Sequence, residues 1–211
     1  MDRKHLSYFV VFFLFGCASG PIQEQLPEGL IITEVKPNKW TALTKQNIIH
    51  LTQVYDLKPF IYSPVIKIFP NDISHRSPVI TINIRFAQQP EKILSVFLHE
   101  QFHWLIAQNS TKEKSAIEEL KKLYPKVPIY RNGLEATYNH LLVCYLENRA
   151  LEYYLGKAEA TRVHTEMMEQ DKLYSWIYGQ ILTSNISIKK IIEKYDLLPE
   201  VLKTDKKPTI L

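Results

Sequence analysis

Two histidines and a glutamate stand together in the middle of an apolar segment, in the order His99-Glu100-Gln101-Phe102-His103. Residues four apart lie on the same face of a helix, so His99 and His103 can direct their imidazoles at a single ion. A neutral imidazole is a good zinc ligand, and catalytic zinc sites take three protein ligands and leave one position for water. Glu100 lies beside the first histidine, where a carboxylate can take a proton from that water. The spacing therefore predicts a metal site with its own base.

The segment around these residues, from Glu91 to Ile106, is apolar on nearly every side, which is typical of a buried helix. Pro90 stands where such a helix would begin. A histidine and a glutamate side by side in a buried helix cost free energy unless they are paired or bound to a metal. We therefore interpret the two histidines as metal ligands rather than as a chance match of residue types.

Two histidines leave the metal one protein ligand short, and a second predicted helix, Leu134 to Leu155, offers two candidates. His140 and Glu147 are seven residues apart and therefore share a face, but they lie about 10 Å apart along the helix axis. Both cannot comfortably hold one zinc ion, so one is the ligand and the other, if functional, faces the substrate. Glu147 lies on a stripe that is expected to be buried, together with Ala136, Val143, Cys144, Ala150 and Leu151.

The histidine motif, followed about forty residues later by Glu147 on a second helix, resembles the gluzincin branch of the zinc metallopeptidases. In that branch the third ligand is such a glutamate, and an edge strand before the first helix lines the cleft. Ala150 is similar to the small residue that some of these families place there so that the two helices can approach. The glycine-containing third-ligand motif of the metzincins is absent after His103. The resemblance covers about Pro59 to Gly156.

This resemblance implies zinc as the cofactor, with His99, His103 and Glu147 as its ligands and Glu100 as the general base. His140 would then donate a hydrogen bond to the oxyanion of the tetrahedral intermediate. The residues alone leave open the alternative that His140 is the third ligand. Three tyrosines compete with His140 for the oxyanion role: Tyr138, Tyr145 and Tyr154.

The N-terminus carries a pattern typical of a targeting segment. A short basic head precedes an apolar run, Leu6 to Phe15, which is too short to span a bilayer because spanning needs about 20 residues. The run ends in Leu-Phe-Gly-Cys17, which resembles the lipobox of bacterial lipoproteins, where the cysteine is lipidated and becomes the mature N-terminus. This resemblance implies a signal peptide over residues 1–16, a membrane anchor at Cys17 and a location in the bacterial cell envelope. Ala18 resembles the residue that follows the cysteine in lipoproteins sorted to an outer membrane.

The chain beyond the signal peptide is long enough for one sizeable domain and too short for two. Residues 17–28 are predicted to be a polar tether, and residues 29–211 a single domain. Two segments favour β-strands, Pro59–Phe69 and Val79–Arg85, and the second alternates isoleucines with polar residues. We expect an α+β fold, a mostly helical zincin-like domain with a small sheet and the histidine motif on a central helix.

Capping residues and apolar periodicity predict helices besides the one that carries the histidine motif. The helix that bears His140 and Glu147 is expected to end at Gly156, since glycine suits the residue that terminates a helix. The others are expected at Thr44–Leu57, Ser110–Leu123, Lys157–Leu182 and Ser187–Tyr195.

Composition excludes some classes of protein. The formal net charge of +4 is slight, and the charges are scattered, so the chain shows no preference for nucleic acid. The chain has two cysteines, and lipidation of Cys17 would leave Cys144 as the last thiol. A disulfide framework is therefore excluded, even in an oxidising compartment.

The sequence thus predicts a membrane-anchored, zinc-dependent metallohydrolase in which Glu100 activates water. The strand Val79–Arg85 favours a peptide or protein as the substrate, because an extended peptide can add to the edge of a sheet. One alternative is a non-catalytic zinc-binding lipoprotein that acts as a binding or assembly module in the envelope. Another is a structural zinc site with no open position.

The predicted anchor can be tested by the substitution Cys17→Ser. We expect this variant to leave the membrane fraction or to remain unprocessed, because the apolar run Leu6–Phe15 cannot span the bilayer by itself. Fractionation of cells followed by mass measurement of the N-terminus checks both outcomes. A Cys17→Ser protein that is processed and still membrane-bound would contradict the prediction.

Overall fold

The computed structural model describes the chain over residues 23–26, 29–71, 73–75, 79–129, 133–170 and 172–204. The predicted signal peptide and Cys17 lie outside the described residues, as does most of the predicted tether. Within the described part, no helix combines the length and the apolar character that are needed to cross a membrane.

A mixed four-stranded sheet forms one layer of the described chain. It consists of β1 (Gln23–Gln25), β2 (Ile31–Glu34), β3 (Val65–Ile68) and β4 (Ile80–Ile82), in that spatial order. β1 pairs antiparallel with β2, and β2, β3 and β4 pair in parallel. β-branched residues suit a covered sheet surface, and five isoleucines of the sheet have no exposed surface: Ile32, Ile66, Ile68, Ile80 and Ile82.

Helices make up most of the remainder. They are α1 (Lys39–Val54), α2 (Pro90–Gln108), α3 (Ser110–Leu123), α4 (Leu134–Leu155), α5 (Lys157–Gln170) and α6 (Lys172–Lys194). Helix α2, which carries the histidine motif, contacts α1, α3, α4, α5 and β4 and is therefore central. The prediction of an α+β fold, mostly helical with a small sheet, is confirmed.

The N-terminal edge of the sheet differs from the sequence prediction. Strand β1 lies inside the segment 17–28 that was predicted to be a tether, and Leu26 behind it is buried in the core. All three residues of β1 are exposed, so the strand is held by backbone pairing with β2 and leaves no apolar pattern to recognise. Strand β2 was not predicted either.

Strand β4 is shorter than the predicted Val79–Arg85, and a side chain explains where it ends. The carboxamide oxygen of Asn83 accepts the backbone N–H of Arg85 at 3.0 Å, which turns the chain out of the extended conformation. The predicted alternation also fails within the strand, because Ile80, Thr81 and Ile82 are all buried.

The helix ends follow the sequence closely for α3 and α4, where Gly156 ends α4 with a φ of 81°. Helix α1 begins five residues before its predicted start at Thr44, because Asn38 and Thr41 form a capping box that lacks the usual Glu or Gln. Helix α6 is continuous where a break was predicted after Leu182. Its buried stripe is present on both sides of Leu182, at Ile181, Ile188 and Ile192.

Gln101, between the two histidines of the motif, ties α2 to the chain that leads into β3. Its carboxamide is fully buried, and its Oε1 accepts the backbone N–H groups of Tyr62 and Ser63 at 2.8 and 2.9 Å. Its Nε2 donates to the carbonyl oxygen of Ser63 at 2.8 Å. The side chain thus meets the backbone polar groups of Ser63 as a neighbouring strand would, and it fixes the register of the motif against the sheet layer.

The substitution Gln101→Ala should lower the free energy of unfolding by about 2–4 kcal/mol, because it leaves buried backbone groups without their partners. Chemical denaturation followed by circular dichroism measures the change. Gln108→Ala on the same helix is the matched control, since Gln108 is exposed and its hydrogen bond to the carbonyl oxygen of Tyr62 is 3.3 Å long. We expect that control to cost less than about 0.5 kcal/mol. Equal costs for the two variants would contradict the role of Gln101.

Candidate metal centre

Four helices bring polar side chains together around His99. In each helix these residues occupy positions on a stripe that is otherwise apolar, so the fold buries most of them with the core and leaves His103, His140 and Tyr174 half-buried. Helix α2 supplies Ser95, His99, Glu100 and His103; α4 supplies His140, Cys144, Glu147 and Asn148; α5 supplies His164; and α6 supplies Tyr174 and Tyr178.

The imidazoles of His99, His103 and His140 form one group. A ring nitrogen from each lies within 4.8 Å of the other two. The Nε2 atoms of His99 and His103 are 3.1 Å apart. Two ligands bound to a tetrahedral zinc at 2.0–2.1 Å would lie about 3.3 Å apart, so this separation suits a shared ion. The ring centroid of His140 is 4.9 Å from that of His103 and 5.6 Å from that of His99. The three histidines could therefore hold one metal ion.

Hydrogen bonds at Nδ1 determine which nitrogen of two of these rings has a lone pair. Nδ1 of His99 lies 2.9 Å from Oε2 of Glu147, and Nδ1 of His140 lies 2.6 Å from the carbonyl oxygen of Ala136. A carboxylate and a carbonyl only accept hydrogen bonds, so each Nδ1 carries the proton and donates it. In the neutral form of both rings the lone pair is then at Nε2, which is the nitrogen that a metal would use.

Glu147 is brought to the site but lies behind His99. It contacts the Nδ1 side of that ring, whereas His103 lies at the Nε2 side. The second group of residues that could hold a metal contains Glu147 together with His99 and Cys144, all of them buried. The carboxylate has no exposed surface, as its apolar stripe predicted. Its Oε1 also accepts hydrogen bonds from Ser95 and, at 3.1 Å, from Nε2 of His164.

The electrostatics follow from this burial and pairing. Burial alone would raise the pKa of Glu147, but the hydrogen bonds from His164 and His99 lower it to about 2. Burial alone would lower the pKa of His99, and the Glu147 carboxylate outweighs that effect and raises it, with a smaller contribution from Glu100. Burial and, to a smaller extent, the charge of Glu147 raise the pKa of Cys144 well above its ordinary value, so its side chain is a protonated thiol.

Glu100, the predicted base, is 3% exposed and belongs to the same turn of α2 as His99. Its negative charge makes a small contribution to the raised pKa of His99.

The tyrosine nearest to the histidines is one that the sequence did not single out. The hydroxyl of Tyr174 lies 3.1 Å from Nε2 of His140, and its ring centroid is 5.8 Å from that of His99. Two of the tyrosines considered from the sequence use their hydroxyls elsewhere: Tyr138 donates to the carbonyl of Tyr124 and Tyr154 to that of Asp56.

His164 and Tyr174 were missed because each is isolated in the sequence from any metal-binding motif. Their burial did leave a trace: His164 lies on a stripe with Ala160 and Val163, which have no exposed surface. Tyr174 begins a similar stripe through Ile177, Tyr178 and Ile181. A polar residue at a position that periodicity assigns to the core is the only signal that could have found them.

Comparison with known proteins gives no relative from which a function could be transferred: no family model matches the chain, and no curated protein or solved structure matches it significantly. The chemistry must therefore be inferred from the side chains themselves.

The substitution Glu147→Ala should destabilise the metal-free protein by about 3–5 kcal/mol, because it removes the acceptor of two buried histidines and a buried serine. Urea denaturation in the presence of a chelator measures this cost apart from any metal. Glu135→Ala on the same helix is the control, since the Glu135 side chain is 80% exposed. It should cost less than about 1 kcal/mol. A Glu147 variant as stable as the control would show that the carboxylate does not organise the site.

Proposed function

We propose that this protein is a zinc-dependent hydrolase in which His99, His103 and His140 bind the metal. The observation that carries the proposal is the convergence of three imidazole nitrogens within 4.8 Å of one another. Nitrogen ligands suit zinc, and three histidines with a fourth open position form a known type of catalytic zinc site. Bound zinc would supply Lewis acidity, which polarises a substrate carbonyl and makes a water molecule more acidic.

His140 as the third ligand is the alternative that the sequence analysis left open. Glu147, the ligand that the gluzincin resemblance implies, accepts hydrogen bonds from Ser95, His99 and His164. It would have to give these up to reach the far side of His99. A carboxylate that accepts from the outer nitrogen of a histidine ligand is a common arrangement, because it orients the ring and raises its basicity. Glu147 as ligand remains the competing prediction.

Glu100 is the residue best suited to take a proton from the attacking water. A carboxylate buried next to the ligand His99 can act as a general base without competing for the metal. We assign to Tyr174 the role of oxyanion donor that the sequence analysis assigned to His140, because its phenolic hydroxyl can donate a hydrogen bond to a developing oxyanion. His140 is then a ligand, and α6 supplies the polarising donor.

Peptides remain the proposed substrate class, on the strength of the resemblance to zinc metallopeptidases. Addition of a peptide strand to β4 meets an obstacle, however. The N–H and C=O of Thr81 pair with those of His75 at 2.7 and 3.0 Å, and Ser74 accepts the N–H of Asn83. A substrate that pairs with β4 must displace residues 74–75. Lipid anchoring at Cys17 would make this an enzyme of the bacterial envelope.

The second candidate is a structural metal site, favoured by the buried group His99, Cys144 and Glu147. A metal there would be enclosed by protein and would have no role in hydrolysis. The two candidates differ in their dependence on Cys144. Cys144→Ala should leave zinc binding unchanged in the hydrolase and should abolish it in a structural site.

Glu100→Gln should retain one zinc per chain while turnover of a peptide library falls by about 10²–10⁴-fold, the usual contribution of a general base.

His140→Ala should lose stoichiometric zinc, because only two ligands remain. Glu147→Gln should retain zinc with an affinity lowered by about 10–100-fold, the usual effect of changing a residue that orients a ligand. Zinc content by atomic emission and affinity by chelator competition measure these outcomes.

The opposite pattern would restore the competing prediction. If the Glu147 variant loses zinc and the His140 variant keeps it but turns over slowly, the third ligand is Glu147. Zinc-loaded protein with no hydrolytic activity on any library peptide would favour the non-catalytic module. An active Glu100→Gln variant would remove Glu100 as the base.

A further inference from the structure

A fourth histidine, His164 on α5, contacts the far side of the Glu147 carboxylate. Its ring has no exposed surface, and its Nε2 lies 3.1 Å from Oε1 of Glu147. Its Nδ1 lies 3.0 Å from Oδ1 of Asn148. The ring of Tyr178 stacks on it with a centroid separation of 4.6 Å. The hydrolase proposed above assigns no role to this residue.

The orientation of Asn148 fixes the hydrogen bonds of His164. Nδ2 of Asn148 donates to Oε1 of Glu152 at 3.1 Å, so Oδ1 is the atom that faces the ring. A carboxylate only accepts hydrogen bonds, so Nε2 of His164 donates to Glu147, while Oδ1 of Asn148 contacts the ring at Nδ1 and holds its orientation. This hydrogen bond helps to compensate the charge of the buried Glu147 carboxylate.

We propose that His164 is a positioning residue that acts through Glu147 to determine which nitrogen of His99 binds the metal. This role rests on the proposed function only in that His99 is a ligand. His164 and Ser95 donate to Oε1 of Glu147, and the carboxylate is thereby held with Oε2 against Nδ1 of His99. The proton of His99 stays on Nδ1, and Nε2 keeps the lone pair on the side of His103.

Removal of the donor at His164 would release this constraint. The carboxylate of Glu147 would then be held at Oε1 by Ser95 and, more weakly, by Tyr178, whose hydroxyl is 3.5 Å from each oxygen. A carboxylate that can rotate no longer enforces one tautomer of His99, and part of the population would present a protonated Nε2 to the metal. Metal affinity would fall although every ligand is still present. Helix α5 thus controls the metal site without supplying a ligand.

Two substitutions of similar size separate the hydrogen bond from the packing of the ring. In His164→Gln the side-chain amide nitrogen can replace Nε2 and still donate to Glu147, whereas in His164→Asn it replaces Nδ1 and cannot reach. The full-length chain is purified in detergent, stripped of metal, and titrated with Zn²⁺ against a chromophoric chelator. His164→Asn should bind zinc about 10–100-fold more weakly than the parent, and His164→Gln should stay within about threefold of it. The visible absorption of the Co²⁺-loaded protein should change in His164→Asn and not in His164→Gln.

Val163→Ala is the control for stability, because Val163 is the fully buried neighbour of His164 on the same helix. It should lower the unfolding temperature and leave the zinc affinity unchanged. If His164→Asn fails to fold, Asn148→Ala replaces it, since that variant frees the ring at Nδ1 and should also weaken zinc binding.

Zinc affinity equal to that of the parent in folded His164→Asn or Asn148→Ala would overturn the proposal. Equal weakening in His164→Asn and His164→Gln would also overturn it, because the retained donor would then make no difference. A parent that binds no zinc overturns the proposed function and this role with it. If the parent binds zinc without hydrolysing peptides, and the variants show the expected order of zinc affinities, the proposed hydrolase is overturned and the role of His164 is supported.

Discussion

The carboxylate of Glu147 has no contact with solvent and lies at the centre of the helical layer. The side chains around it are arranged so that they compensate its charge. An ionised carboxylate cannot be buried in a protein unless donors surround it. Here the donors come from two neighbouring helices, α2 and α5, with Tyr178 of α6 close by. Glu147 therefore fixes how these helices meet, and the orientation of His99 is a consequence of that packing.

The histidine motif serves the metal site and the sheet layer at the same time. His99 and His103 face the site, whereas Gln101 between them is hydrogen-bonded to Ser63 on the way into β3. Phe102 fills the core, where its ring meets that of Phe60. Because successive residues of a helix point in different directions, one turn of α2 can connect three parts of the fold. A shift in how α2 packs on the sheet layer would therefore move the histidines as well.

Sequence patterns predicted the structural features of this protein that are determined by residues close together in the sequence. Proline at the start of α2, glycine at the end of α4 and the apolar stripes were sufficient to locate the central helices and to bring Glu147 into the neighbourhood of His99. The ligand role of Glu147 was an inference from resemblance, and spacing along the helix could not show on which side of His99 it would lie. His164 and Tyr174 depend on partners on other helices, which local patterns do not encode. Strand β1 depends on backbone pairing with β2 and has no apolar pattern of its own.

The pairing of His75 with Thr81 also bears on how the protein behaves at high concentration. A sheet edge with open N–H and C=O groups is a template for association with other chains, and such association leads to aggregation. On β4 the outward groups of Thr81 are already used by His75, and the opposite edge, β1, is three residues long and presents Gln23, Glu24 and Gln25. Neither edge of the described sheet is therefore long and apolar, which protects a domain with a small sheet from self-association through its strands.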